Sequence, residues 1–389
     1  MTVTAASRRT FVINGRFLTQ PTTGVQRVAR ELIKAMDRLI GERDFPAAIT
    51  LMCEEHADVS NLPLANIPVQ RVSGARGHRW EQLVLPRAVG DAELICLGNT
   101  APLWSLALNR SVTVMIHDLS YRLYPKAYSR AYRTAHSLML PLILKRARCI
   151  LTVSNSEKES LCALSPSLGP RILVAQNGGW SDGLTVRNRL GTPRFGRDYI
   201  LYVGSLSQRK NLNGLVEVAI RMARQHHMPF LFVGSNSRIL AGTQIELPED
   251  VAPLIRFTGQ LEDIELMAEI YRNAKCLLFP SFYEASPLPP LEAMQFGCPV
   301  VGSNIPSMRE RCGDAIEYCD PASIDDIVAA VLRVITDPQH AHELSQRGFV
   351  RASLFSWHAQ AEQVLTKLLE PEHSEEEAAS ANSPFELPC

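Results

Sequence analysis

The sequence predicts an α/β protein of two doubly wound, Rossmann-like domains facing a central cleft. Three observations predict it. The chain has 389 residues, too many for one ordinary core and suited to two domains of about 150–200 residues each. Short apolar runs alternate with helical periods along most of its length. A stretch rich in turn residues interrupts the alternation near the middle.

The strands come first. In the first half the runs are Phe11–Ile13, Ile49–Met52, Leu94–Leu97, Val112–Ile116, Ile150–Val153 and Ile172–Val174. In the second half they are Tyr199–Val203, Phe230–Val233, Ile255–Phe257, Cys276–Phe279 and Pro299–Val301. They are β-branched or aromatic and bounded by Gly, Pro, Asn or Ser, as buried parallel strands are. Helical segments lie between them. Val25, Val28, Ala29, Leu32, Ile33 and Met36 form one apolar stripe on a helix. Strand–helix alternation implies parallel sheets covered on both faces.

The break falls between Asn177 and Asp198, where Gly178-Gly179-Trp180-Ser181-Asp182-Gly183 and Gly191-Thr192-Pro193 lack a helical stripe. The expected organisation is a flexible start over 1–9, a first domain over 10–177 and a linker over 178–198. A second domain spans 199–352, a helix over 353–370 crosses back to the first, and a disordered tail covers 371–389. That tail carries Glu375-Glu376-Glu377 and few apolar residues.

Composition narrows the function. Apolar residues are 46% and charged residues 21%, as in soluble globular proteins. The formal net charge is zero, which gives no reason to expect a nucleic-acid partner. Residues 1–177 hold 22 Lys and Arg against 13 Asp and Glu, so the first half is basic and the second acidic. Nine cysteines are dispersed without a Cys-x-x-Cys pair, which suits reduced thiols in the cytoplasm rather than disulfides or zinc. The polar start has no signal-peptide core. The longest apolar stretch, Leu138–Leu144, is too short to span a bilayer and contains Pro141. Any membrane contact is expected to be peripheral, on the inner face of the cytoplasmic membrane.

The most informative stretch runs from Ser281 to Met294. Glu284 and Glu292 lie eight positions apart, the first in a loop after an apolar strand and the second in a helix that Pro290 is expected to open. The carboxyl end of a strand is where open α/β sheets hold ligands. A helix amino end favours a diphosphate, and the second carboxylate suits a grip on two vicinal ribose hydroxyls. Spacing alone fits two surface glutamates as well. The second stretch is Gly204-Ser205-Leu206-Ser207-Gln208-Arg209-Lys210-Asn211, after the first strand of the second domain. A departing diphosphate needs fixed cations, and Arg209 and Lys210 offer a planar fork and a compact ammonium. A solvated basic turn would look the same in isolation.

Context separates these readings. Glu284, Glu292-Ala293-Met294, Gly297, Pro299-Val300-Val301, Gly313-Asp314-Ala315 and Asp320-Pro321 together resemble the retaining glycosyltransferase family 4. The resemblance covers residues 10–370 and implies the GT-B fold. It implies that Glu284 contacts the transferred hexose, Glu292 the ribose, and Arg209 and Lys210 the diphosphate. The family's Gly-Phe-Gly after the first Glu is replaced by Ala285-Ser286-Pro287. Pro287 has no N–H to donate, which leaves the Ser286 hydroxyl or the Leu288 N–H to take over. Many members carry Arg directly after the glycine where this chain has Ser205 on the donor-binding loop. In the first domain, Asn14-Gly15-Arg16 follows the first strand and Gly24 opens the striped helix. The resemblance puts that glycine at the cleft, facing diphosphate and acceptor. It gives His117 of Ile116-His117-Asp118-Leu119 a place beside the reacting sugar. It also sets Gly259 by the nucleotide base. Thr152-Val153-Ser154 and Gln176-Asn177-Gly178 fit the family without carrying chemistry.

One feature stands apart from the family. No acidic residue occurs from Leu119 to Ser156, while Arg122, Lys126, Arg130 and Arg133 lie among four tyrosines. Such a surface suits an anionic membrane or the phosphates of a lipid-linked acceptor, or else a solvated helix face.

The expected reaction is front-face transfer of a hexose from a nucleoside-diphosphate sugar to a glycan or lipid-linked acceptor, with retention. No cofactor or metal is expected, since fixed cations replace a divalent ion and no acidic metal motif appears. Trp80-Glu81-Gln82-Leu83 and Ile116-His117-Asp118 resemble bacterial polysaccharide and lipopolysaccharide enzymes. That favours GDP-mannose, with dTDP-rhamnose and UDP-sugars open. Two rivals remain at this stage: another GT-B enzyme such as a nucleotide-sugar epimerase, or an inactive nucleotide-sugar-binding partner of a glycan assembly complex.

Overall fold

A computed structural model describes residues 9–43, 45–180, 193–234 and 246–371. The start at 1–8, the middle of the expected linker (181–192) and the tail from 372 onward lie outside the described residues.

The first sheet holds seven parallel strands among the described residues. They are β1 (Arg9–Asn14), β2 (Ala47–Glu54), β3 (Val69–Val72), β4 (Glu93–Cys96), β5 (Val112–Met115), β6 (Cys149–Thr152) and β7 (Ile172–Val174). Their order is β3-β2-β1-β4-β5-β6-β7. Side chains alternate across the sheet, as the two-residue period requires. Phe11 and Ile13 enter one apolar layer while Val12 enters the other. The helix Gly24–Glu42 lays Val28, Ala29, Leu32, Ile33 and Met36 onto the first layer. The helix Arg130–Arg146 covers the second with Met139, Leu140, Ile143 and Leu144.

Among the described residues the second sheet has six parallel strands: β8 (Tyr199–Val203), β9 (Phe230–Val233), β10 (Ile255–Phe257), β11 (Ala274–Phe279), β12 (Val300–Ser303) and β13 (Glu317–Cys319). Their order is β10-β9-β8-β11-β12-β13. Two of the thirteen strands, β3 and β13, escape the sequence reading. Both are edge strands with a single neighbour. An edge does not demand a continuous apolar run, and Val-Gln-Arg-Val and Glu-Tyr-Cys offer none.

The helix Trp357–Leu369 follows the second domain but packs on the first. Trp357, Ala361, Val364, Leu365 and Leu368 join the layer built by Phe11, Ile13 and Leu32. Trp357 Nε1 donates to the Gly179 carbonyl at 3.0 Å. Gln360 donates to Ala175 and to Asn177 Oδ1, both at 2.9 Å. A Cβ on Gly178 would lie 2.5 Å from the Trp357 amide nitrogen, so this crossing requires glycine there. A further tie between domains is Glu310. Its carboxylate accepts the N–H groups of Asn155 (2.7 Å) and Ser156 (3.0 Å) at the start of the helix Asn155–Leu164, an acid at a helix amino end.

Candidate active site in the interdomain cleft

Parallel strands deliver their carboxyl ends to one rim of each sheet, and the two rims supply the residues of the cleft. At the end of β8, Gly204 leads into a loop and a single 3₁₀ turn, Gln208–Lys210. Asn211 ends that turn in the left-handed region (φ 61°), and its side chain caps the helix Leu212–His226 by accepting from Gly214 N at 3.2 Å. This tight turn throws Arg209 and Lys210 toward the loop after β11. A second glycine makes the rim flat. A Cβ on Gly234, at the end of β9, would fall 1.8 Å from the Gly204 carbonyl oxygen.

The structure brings Arg209, Lys210 and Glu284 together. Lys210 Nζ pairs with Glu284 Oε1. Arg209 Nη1 donates to the Tyr283 carbonyl at 2.9 Å and lies 3.5 Å from Glu284 Oε2. Phe282 N returns a bond to the Arg209 carbonyl at 3.0 Å. Lys210 also sits over the Phe279 ring, 4.8 Å from its centroid. Burial pushes the Glu284 carboxyl up, but the Lys210 and Arg209 charges outweigh it and hold the group below its ordinary value. Burial brings Lys210 down to about 8 in spite of Glu284. Lys210 is buried and Arg209 half-buried, and both converge on the Glu284 carboxylate while also feeling the Asp118 charge.

Glu292 lies elsewhere on the same rim. Its helix, Leu288–Gln295, begins two residues before Pro290. Pro289 and Pro290 still fall within the first turn, where missing N–H groups cost nothing. The Glu292 carboxylate pairs through Oε1 with Arg27 of the first domain and accepts from Tyr271 Oη through Oε2 at 2.8 Å. Arg27 in turn lies over the Trp180 ring, 5.2 Å from its centroid. Sequence reading missed both Arg27 and Tyr271. Of the neighbouring candidates, Ser286 has a buried hydroxyl without a partner. Leu288 packs into the first domain's apolar layer. The Ser205 carbonyl accepts from Tyr202 Oη at 2.8 Å. Gly259 sits at φ +75° with its carbonyl bonded to Gly234 N at 2.9 Å.

The first domain supplies the opposite lip. His117 follows β5, with its ring Nε2 2.9 Å from the Leu97 carbonyl and its N–H on Asn99 Oδ1 at 2.6 Å. Burial lowers its pKa, which favours a neutral ring. The two lips meet just beyond it: Tyr283 Oη accepts from Leu119 N at 3.4 Å and donates to Glu157. Tyr283 immediately precedes Glu284, so this contact carries the Glu284 loop to the His117-Asp118 segment. Burial raises Glu157 to about 7, against the bond from Tyr283. Gly24 is exposed at the start of its helix, with no atom within 4 Å of an added Cβ. Among the described residues, no hydrogen bond joins it to the other candidates.

Asn14 and Arg16 anchor a buried polar cluster behind this lip. Asn14 Nδ2 donates to Glu81 Oε1 at 2.7 Å, and Thr100 donates to the same oxygen at 2.8 Å. Arg16 Nη2 reaches Thr100 at 2.9 Å. Glu81 sits on a π-helical turn, Trp80–Val84, a feature that often marks functional sites. Burial would raise its carboxyl, yet His78, Arg16, Thr100 and Asn14 together bring it to about 2. The basic residues Arg122, Lys126 and Arg130 are exposed and Arg133 is half-buried. Beside them Tyr128, Tyr132 and His136 stack in sequence, with centroids 5.1 and 3.8 Å apart.

Comparison with known proteins now bears on this geometry. The model of the family Glycosyl transferases group 1 matches residues 192–351, the span that holds Arg209, Lys210, Glu284 and Glu292. O-antigen chain mannosyltransferase B of Escherichia coli is 29% identical over 262 residues, 64% of this chain and 68% of that protein. Among solved structures, sucrose-phosphate synthase from Thermosynechococcus elongatus superposes with a TM-score of 0.70 at 18% identity. It covers 96% of this chain and 100% of that one. HepE of Anabaena, solved with UDP-glucose, superposes at 0.68 and 16% identity over 92% and 99%. The architecture of two parallel α/β domains is the GT-B fold.

Proposed function

We propose, on the premise that the chain is a glycosyltransferase, that it moves a hexose from a nucleoside-diphosphate sugar to a glycan or lipid-linked acceptor with retention of configuration. The setting is exopolysaccharide or lipopolysaccharide synthesis, with GDP-mannose as the favoured donor. The observation that carries the reading is the convergence of two cations, buried Lys210 and half-buried Arg209, on the Glu284 carboxylate. A diphosphate leaving group is an anion that such a pair of cations suits. The same cations then stabilise that group as the glycosidic bond breaks, without a divalent ion. Glu284 sits where it can hold a hexose hydroxyl against Lys210. The partnerless Ser286 hydroxyl is the candidate for the contact that Pro287 cannot make. His117 faces the sugar as a neutral ring. Ser205 and Gly259 belong to the donor rim, Gly24 to the diphosphate side and Glu292 to the ribose.

Mannose is favoured because O-antigen chain mannosyltransferase B is among the relatives. The acceptor, or the anionic inner membrane face that bears it, is assigned to Arg122, Lys126, Arg130 and Arg133. Trp104 (63% exposed) and Leu138 (71% exposed) support this reading, since apolar and basic groups share that region of the first domain. Among the described residues, no helix is long and apolar enough to cross a membrane.

A thermal-shift screen against GDP-, UDP- and dTDP-sugars tests the donor. GDP-mannose is expected to give the largest stabilisation, and a larger shift with a UDP- or dTDP-sugar replaces it. Binding to anionic vesicles at low salt tests the surface, and protein that ignores them removes that part.

A further inference from the structure

Glu292 has two carboxylate oxygens, and protein groups hold both. Arg27 pairs with Oε1 and Tyr271 donates to Oε2 at 2.8 Å. The carboxylate side chain is 2% exposed, whereas that of Arg27 is 31% exposed. The ribose reading adds a third claimant, a vicinal pair of hydroxyls, to those two oxygens. One protein partner must therefore yield.

The two partners differ in how easily they can move. Tyr271 is fully buried and stacks on Phe296, with centroids 5.8 Å apart. Its release would leave a hydroxyl unsatisfied inside the core. Arg27 stands in the first turn of its helix at the cleft edge. It also has a second resting place, because its guanidinium already lies over the Trp180 ring. A cation keeps that contact after losing its carboxylate.

We propose that Arg27 is a displaceable occupant of the ribose seat. Without nucleotide it keeps Glu292 aimed. When a nucleoside diphosphate enters, it cedes Oε1 to a ribose hydroxyl and stays over Trp180. The first domain thus lends the second a residue that sets donor affinity. The proposal rests on the reading of Glu292 as the ribose ligand. Its consequence is that free nucleotide binds against a competing protein state, which lowers the apparent affinity by the fraction of time Glu292 is free.

Calorimetric titration of the full chain with UDP, GDP and ADP, and with their 2′,3′-dideoxy counterparts, tests this. For whichever ribonucleotide the wild type binds, Arg27→Ala is expected to tighten binding roughly 3- to 10-fold. The dideoxy affinity should not change, because that ligand never competes for Glu292. Arg27→Lys, which keeps the charge but loses the fork, should fall between and guards against misfolding of the alanine variant. Unchanged or weaker ribonucleotide binding in both variants overturns the proposal. Glu292→Gln separates the two layers. If that variant still prefers ribose over dideoxyribose, or the wild type binds none of the three, the ribose reading itself is lost. If the preference disappears while the Arg27 variants match wild type, only the Arg27 proposal is lost.

Discussion

Glu284 and Glu292 are eight positions apart on one rim, yet they are satisfied in opposite ways. Glu284 is held by cations of its own domain, Arg209 and Lys210, through one tight turn. Glu292 is held by a cation of the other domain, Arg27. The contacts of the first constellation are made within one domain. The second includes a contact between domains. The cleft therefore pairs a charge site built within one domain with a contact made across two.

The largest expected effect tests that division directly. Lys210→Ala should lower turnover of the true nucleotide sugar by about 10²–10³-fold, with acceptor affinity little altered. Glu292→Ala should weaken donor binding while leaving turnover at saturation within about tenfold. Steady-state kinetics on both variants decide it. Equal losses in kcat for the two would erase the contrast.

A pH series sharpens it. The Lys210 ammonium is held at about 8 by burial, so it discharges as pH rises through that value. Nucleoside diphosphate affinity should fall between pH 7 and 9, by up to about tenfold per unit once above the pKa. Lys210→Arg stays charged in that range and should flatten the slope. An equal slope in both proteins would move the titration to another group.

The smallest effect concerns the contact that joins the lips. Burial raises Glu157 to about 7, above its ordinary 4.5. Between those values the folded protein holds a proton that the unfolded chain has released. The group therefore favours folding in acid, and that contribution is lost as pH rises through about 7. Glu157→Gln cannot ionise, so its melting temperature should exceed wild type by about 2–4 °C at pH 8 and match it near pH 4, below the unfolded value. A gain of the same size at both values would mean that packing is responsible.

Much of this was legible in the sequence, for reasons specific to each part. The buried central strands read clearly because both faces are covered and every residue is apolar, as in Cys276–Phe279. The Gly24–Glu42 stripe read clearly because one helix face meets a single core layer. Arg209, Lys210 and Glu284 stood out because glycine, proline and charge cluster at strand ends. Arg27 did not, because it lies on the polar face of an amphipathic helix and looks like a solvated cation. Its partner is 265 positions away, and no local pattern encodes such a pair. Tyr271 was hidden for the converse reason: its ring completes an apolar helix face, so its hydroxyl drew no notice. The Asn14–Glu81 bond is half visible in the sequence: each segment carries polar groups beside an apolar run, but no local pattern joins them.

The crossing helix Trp357–Leu369 has a consequence for biosynthesis. A chain emerging amino end first from the ribosome completes all seven strands of the first sheet long before Trp357 appears. Until then one flank of that sheet, around Phe11, Ile13 and Leu32, lacks its final apolar cover. The second domain can assemble around its own core in the meantime. The first to be translated is thus the last to be finished, and its uncovered flank is the surface that a chaperone would shield during synthesis.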